Sequence, residues 1–311
     1  MLSRVADSLY WMSRYVERSD GLLRMLKVNY AYSQDDIQEF SWKPVLKLFT
    51  YLEEKEANEM AKNPRTVLQY LVTDKENPNA VVNLVTKARE NARSAQDHIT
   101  KELWQCLNDY YHTMREDWLA QWLQKDDPIT ILDVLIKQGL LYYGTADITM
   151  SRGEGNSFIN IGKFLERAIF SIDLLGVKFS KDNIDAETVA DAHYWKYLLL
   201  SISGYELYLK TYRSSFEARN VIEQVVLNTS FPRSIIYSLV RLQRYFDRLK
   251  QGVTSNSYQQ LEFMIGKLLS EVRYSTAETI IKRDLHKFLQ HIKSELHEIA
   301  NALNQHYFAY T

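Results

Sequence analysis

An all-α fold is what this sequence predicts, and three observations predict it. Glycine and proline are scarce, 10 and 5 in 311 residues, too few for a turn-rich β architecture. Hydrophobic residues make up 46% of the chain, enough to bury a sizeable interior and to set disorder aside. Apolar residues recur at helical spacing through most of the length, beginning at the N-terminus. The expected architecture is a single large helical bundle over 1–311, with an internal duplication and possible halves near 1–127 and 128–311.

The first element carries two stripes. Residues 3–26 read SRVADSLYWMSRYVERSDGLLRML, and Leu2, Val5, Leu9, Met12, Val16, Leu23 and Leu26 share one side of a helix. Arg4, Asp7, Trp11, Arg14 and Arg18 recur on the opposite side, flanked by Tyr10 and Glu17. No lysine precedes Lys27, so this face is built from planar, forked donors beside carboxylates, which suit fixed bidentate contacts better than loose solvation. It reads as a site face; salt bridges that fix how helices cross are the plain alternative.

The helix should fray near Ser33-Gln34-Asp35-Asp36. Pro44 fits the first turn of a helix over 45–52, and Pro64 does the same for 67–71. Asn77-Pro78-Asn79 opens a long helix with Val81, Val85, Ala88, Ala92, Ile99 and Leu103 as its core stripe. Arg89, Arg93 and Gln96 lie in an adjacent line along it. Lys125-Asp126-Asp127-Pro128 ends that region and opens a helix from Ile129 to about Tyr143.

Gly144 to Gly155 reads as a loop, with Gly153 and Gly155 placed so that backbone amides could meet an anion at the next helix; a plain connection is the alternative. Residues 151–167, SRGEGNSFINIGKFLER, then echo SRVADSLYWMSRYVER at 3–18: both begin Ser-Arg and end aromatic-X-Glu-Arg. Phe158, Ile161, Leu165, Ile169 and Ile172 form the core stripe of this second copy, and Asn156, Asn160, Lys163 and Arg167 are expected to point away from it. After Gly176 the polar stretch Ser180–Asp185 marks a turn, and a helix from there to about Tyr212 carries Trp195, Tyr205 and Tyr208. Pro232 and Arg233 open a helix toward Lys250, 252–257 is a turn, and two last helices run to about Tyr307.

The opening stretch, with ARENARSAQDHITKELWQCLN at 88–108, GTADITMSRGEG at 144–155, FLER at 164–167 and FPRS at 231–234, resembles the bacterial alpha-E domain family in order through nearly the whole chain. The resemblance implies an all-helical cytoplasmic protein, encoded beside or fused to a circularly permuted ATP-grasp amide ligase, with a transglutaminase-like peptidase as a frequent neighbour. The family is named for prominent glutamates, and Glu17, Glu90, Glu102 and Glu166 are the matching candidates.

Composition narrows the chemistry. With 38 basic and 39 acidic residues the net charge is −1, so no global field draws nucleic acid or an anionic membrane. Cys106, the single cysteine, allows no internal disulfide and no cysteine-based zinc site, and its apolar segment places it in the core. Charged Arg4 and Asp7 stand where a leader's apolar segment would begin, and no apolar run reaches membrane-spanning length, so a cytoplasmic location is expected. Neither a G-X-S-X-G elbow nor a Walker A loop occurs, so nucleophilic hydrolysis and P-loop ATP chemistry lack a handle. Neither E-X-X-H nor H-E-X-X-H occurs. A carboxylate-only Mg²⁺ or Mn²⁺ site through Asp7, Glu17, Asp147 or Glu166 would be repelled by Arg14, Arg18 and Arg167. No metal and no cofactor are expected.

An arginine and carboxylate constellation remains, suited to a carboxylate- or phosphate-bearing ligand such as a small acidic amino acid or peptide. Its members are Arg4, Asp7, Tyr10, Trp11, Arg14, Glu17, Arg18, Arg89, Arg93, Asp147, Arg152, Glu166, Arg167 and Arg233. Joined to the resemblance, this gives the leading expectation: an accessory binding subunit of an ATP-grasp amide ligase in ribosome-independent peptide or amide-bond synthesis. The alternatives are a peptide-modifying enzyme using Glu17 or Glu166 as acid/base, and a scaffold with internal salt bridges only. Arg4 and Arg14 are expected to face the ligand, and Arg18 to be structural.

Overall fold

The structure is a computed structural model that describes residues 1–34, 41–125, 127–178, 189–213, 216–250 and 255–308. Among these there are sixteen α-helices and no strand. The first eight are α1 (Ser3–Ser33), α2 (Lys43–Phe49), α3 (Glu54–Met60), α4 (Pro64–Val72), α5 (Val81–Ser94), α6 (Lys101–Arg115), α7 (Asp117–Lys125) and α8 (Pro128–Thr149). The rest are α9 (Glu154–Lys178), α10 (Val189–Ser201), α11 (Tyr205–Tyr212), α12 (Ala218–Ile222), α13 (Ile235–Asp247), α14 (Asn256–Arg273), α15 (Ala277–Lys282) and α16 (Leu285–Leu303). None of the described helices is long and apolar enough to cross a membrane.

Local chemistry explains where most helices begin. Pro44 sits in the first turn of α2 and Pro64 in that of α4, where Asn63 also accepts from the amides of Arg65 and Thr66. Asp127 caps α8 ahead of Pro128, Ser234 caps α13 and Ser255 caps α14. The opening of the helix toward Lys250 is thus set by Ser234, not by Pro232 and Arg233.

Four expectations are corrected. The long helix from Asn79 breaks after Ser94: a single 3₁₀ turn intervenes, and Thr100 starts α6 by accepting from the amide of Leu103. The helix to Tyr212 likewise divides at Ser203, which takes a left-handed φ of 56°, and at Gly204, where a Cβ would press into the Phe231 ring. Conversely, α8 runs through Gly144 to Thr149, so the loop shrinks to about the Ser151–Gly153 stretch. Gly144 adopts no special backbone conformation, and the Thr149 hydroxyl, bonded to the Thr145 carbonyl and to Thr100, secures the extra turn. The final segment holds three helices instead of two. The turn expected at 180–185, and part of those at 35–36 and 252–257, lie outside the described residues.

The chain divides into two compact units, one made of Met1–Arg14 with Ser151–Thr311, the other of Tyr15–Met150. The division falls inside α1 and after α8, away from residue 127. In the second unit Leu22, Leu23 and Leu26 of α1 lie in a core with Leu84 and Val85 of α5, Leu103 and Leu107 of α6, and Leu132 and Leu135 of α8. In the first unit Leu9 and Met12 of α1 share the interior with Ile161 and Leu165 of α9, Ile235, Leu239 and Leu242 of α13, and Leu296 of α16. Leu2, assigned from its phase to the core stripe, is 62% exposed because it precedes the first helical turn.

Candidate functional site

In the unit containing Met1–Arg14, the first turns of α1 lie beside α9. The Met1 amino group meets Glu154, the Tyr10 carbonyl faces Gly162, and Arg14 pairs with Glu166, so contacts climb both helices together and the two run parallel. Their closest approach is reciprocal. Ser13 and Gly162 each stand four residues before the Glu of a Glu-Arg pair, and Tyr10 and Ile159 each stand seven before it. The Ser13 hydroxyl donates to the Ile159 carbonyl at 2.5 Å, while a Cβ at Gly162 would run into the Tyr10 carbonyl oxygen. Equivalent small residues of the two repeat copies therefore face equivalent carbonyls.

That approach sets the geometry of Arg14. Its Nε donates to Glu166 Oε2 at 2.7 Å, its Nη1 donates to the Tyr10 hydroxyl at 3.0 Å, and its guanidinium lies 4.6 Å from the Trp11 ring centre. Arg14 and Glu166 are only 6% and 4% exposed. Burial opposes charge on Arg14, but Glu166 and Tyr10 more than offset it and leave the guanidinium held more firmly protonated than usual. Burial also raises the Tyr10 phenol, whose ring packs against Phe308 at 5.0 Å between centres. Half-burial raises the Asp7 carboxyl, against a hydrogen bond from Trp11.

A second charged group in this unit joins α9 to α16. Asp173 accepts from Lys293 at 2.5 Å, with burial raising its carboxyl against the pull of that ammonium. Partial cover, then Lys293 and Arg14, lower His297 from its ordinary 6.5. The folded state binds fewer protons there than the unfolded chain, so this group's contribution to stability rises with pH from the folded pKa up to about 6.5 and is level above it. An NMR titration of the His297 ring should give a midpoint below 6.5 that moves up in Lys293→Gln; a midpoint at or above 6.5 in the unaltered protein would contradict the assignment.

The unit spanning Tyr15–Met150 holds the other Glu of the repeat. Glu17, 2% exposed, accepts from the Tyr143 hydroxyl at 2.6 Å. One turn on, Asp20 accepts from Arg24 at 2.9 Å and lies against Gly139 of α8, where a Cβ would stand 3.3 Å from its Oδ1. Ser19 shares a hydrogen bond with the buried Tyr110 of α6. Arg89 of α5 bonds Asn108 and Glu90 and lies 5.3 and 4.8 Å from the ring centres of Trp104 and Tyr111. Cys106 is buried, and burial pushes its thiol up to about 11, which suits core packing.

The expected site residues thus occupy different settings. Arg4, Asp7, Tyr10, Trp11, Arg14, Arg152, Glu166, Arg167 and Arg233 belong to one unit, and Glu17, Arg18, Arg89, Arg93 and Asp147 to the other. Within the first, Tyr10, Trp11, Arg14 and Glu166 come together, while Arg4 and Arg152 are exposed. Arg167 reaches the Pro232 carbonyl at 3.4 Å, and buried Arg233 offers its own carbonyl to Ser171 at 2.8 Å. In the other unit Arg93 and Asp147 are exposed, with Arg93 3.7 Å from Glu90. Glu90 and Glu102, matched to the prominent glutamates, are exposed too.

The anion cradle expected at Gly153 and Gly155 is corrected: Gly155 is buried inside α9, and the Glu154 carboxylate already stands in that helix's first turn. Asn156 and Asn160 are corrected as well. Both are buried, and Asn160 satisfies its amide on the Asn156 carbonyl, because α9 is enclosed on more sides than its apolar stripe indicates. Ser13, Gly162, Tyr143 and Gly139 are not among the residues expected at the site. For Ser13 and Gly162 the sequence does carry a signal, a small residue at the same place in both copies; for Tyr143 and Gly139 nothing local in the sequence marks them.

The Glu-Arg dipeptide occurs twice in the chain, at 17–18 and 166–167, once in each repeat helix. Both glutamates are buried and hydrogen-bonded, so the geometry singles out the same dipeptide as the repeat does. No curated protein and no solved structure shows significant similarity to the chain. Residues 1–308 match the Alpha-E family, described as a predicted alpha-helical domain with a conserved ER motif, and the chain belongs to that family.

Proposed function

We propose that this protein is a non-catalytic accessory subunit of an ATP-grasp amide ligase, serving ribosome-independent peptide or amide-bond synthesis by holding an anionic amino acid or peptide. The observation that carries the reading is that both glutamates with a sequence case for acid/base work are already engaged. Glu166 is held by the Arg14 guanidinium at 2.7 Å and Glu17 by the Tyr143 hydroxyl at 2.6 Å. A proton on Glu166 would forfeit a buried charge-assisted bond, which weighs against a shuttling acid. The ligase partnership, and a transglutaminase-like peptidase beside it, rest on the family resemblance. The anion-binding half rests on arginines left at the surface, with Arg4 on the first turn of α1 the foremost of them.

Co-expression with a genomically adjacent ATP-grasp ligase tests it. The two should co-purify, and mass spectrometry should find an ATP-dependent amide product only when both are present. Arg4→Gln should weaken substrate use by about tenfold, the loss of one charge-assisted contact, without moving the melting point. Product formed by this chain alone, or tight ATP binding to it in calorimetry, would sink the proposal.

A further inference from the structure

We propose that the outer face of α13, with the adjoining edge of α9, is a docking surface for an acidic protein segment. Tyr237, Arg241, Arg244, Tyr245 and Arg248 fall within about 100° of arc around α13. The guanidinium of Arg241 lies 4.9 Å from the Tyr237 ring centre and that of Arg248 lies 5.0 Å from the Tyr245 ring centre. Tyr245 in turn stacks on Phe164 of α9, 6.0 Å between centres and 14° between planes. Lys163 and Arg167 approach the same Phe164 ring at 4.7 and 5.3 Å. Five cations are thereby gathered on one side of a chain whose net charge is −1.

Neutralisation from within is not evident for three of the five: among the described residues no carboxylate lies within ion-pair distance of Arg241, Arg244 or Arg248. Asp247, their neighbour in sequence, projects from another side of α13, near Glu262 and Lys250. An arginine laid on a tyrosine face has already lost part of its rotamer freedom, and its N–H edges remain free for bidentate donation to a carboxylate.

The same stacking disfavours a nucleic acid. Single strands bind through open aromatic faces, yet Tyr237 and Tyr245 each carry a guanidinium and Phe164 is 5% exposed. A duplex-binding face that neutralises about 6–10 phosphates would need more cations than the five gathered here. Carboxylates one and two turns apart on a partner helix span about 10 Å, as do Arg241 and Arg248 along α13. The partner chemistry that fits is a row of Asp or Glu on a protein segment.

The proposal is independent of the ligase partnership, and its test contains no ligase. Fluorescence anisotropy would follow a labelled Glu- and Ala-rich helix-forming peptide, its Lys-containing counterpart and a single-stranded oligonucleotide against the full chain over a salt series. The acidic peptide should bind best and weaken as salt rises. Arg241→Gln with Arg248→Gln, and separately Arg244→Glu, should weaken it about tenfold, with Arg283→Gln unchanged. Arg244 touches none of the three rings, so its variant keeps the test valid if the double variant folds poorly. Tighter binding of the oligonucleotide, equal binding of the basic peptide, or no change in Arg244→Glu would overturn the proposal.

Discussion

Arg14→Gln is expected to lower stability by about 3–5 kcal/mol, because it leaves the Glu166 carboxylate charged, buried and without its guanidinium. Against a total of about 5–15 kcal/mol for a domain, that is a large fraction. The expectation follows from position: Arg14 is 6% exposed, donates to Glu166 at 2.7 Å and to Tyr10 at 3.0 Å, and lies over Trp11. In phase with Arg4 on α1 it reads as a ligand contact, yet its guanidinium is spent inside the protein. Removing both charges as Arg14→Met with Glu166→Gln should cost less than the two single changes added together, since no bare charge then remains. Chemical denaturation decides it, through a lower midpoint at unchanged slope. A loss below about 1 kcal/mol for Arg14→Gln would show the pair to be dispensable and return Arg14 to the ligand.

How far the sequence could be read depends on what each residue reports. Caps and prolines act locally, so the starts of α2, α4 and α8 follow from Pro44, Pro64 and Asp127-Pro128, and each is found there. Ends and breaks depend on tertiary partners. Gly144 has the composition of a stop, but α8 passes through it, and at the Ser203–Gly204 break the residue that a Cβ on Gly204 would meet is Phe231, distant in sequence. The polar face of α1 misleads for a related reason. Forked donors beside carboxylates predict fixed contacts, and Arg14, Glu17 and Asp20 are buried with partners in Glu166, Tyr143 and Arg24, but the pattern does not tell an internal partner from a ligand. The charge pattern therefore points to fixed contacts on α1 without saying which of them close within the protein.

Gly162→Ala should destabilise by about 3 kcal/mol even though alanine is the better helix former. The obstacle is the Tyr10 carbonyl oxygen, a backbone atom that cannot swing aside as a side-chain tip would. Room for a methyl requires α1 and α9 to separate, which would lengthen the Ser13 bond to the Ile159 carbonyl and loosen Arg14 from Glu166 together. Gly176, near the other end of the same helix, supplies the control: a Cβ there meets nothing within 4 Å, so Gly176→Ala should stabilise by up to about 1 kcal/mol. The two identical substitutions in α9 should thus carry opposite signs. Ser13→Ala, at the matching place in α1, should cost only about 1 kcal/mol, because it deletes one hydrogen bond and leaves the spacing intact. Melting curves of the three variants separate close approach of the repeat helices from simple helix propensity. If Gly162→Ala stabilises as Gly176→Ala does, the helices are not locked at that crossing, and the burial of Arg14 loses its cause.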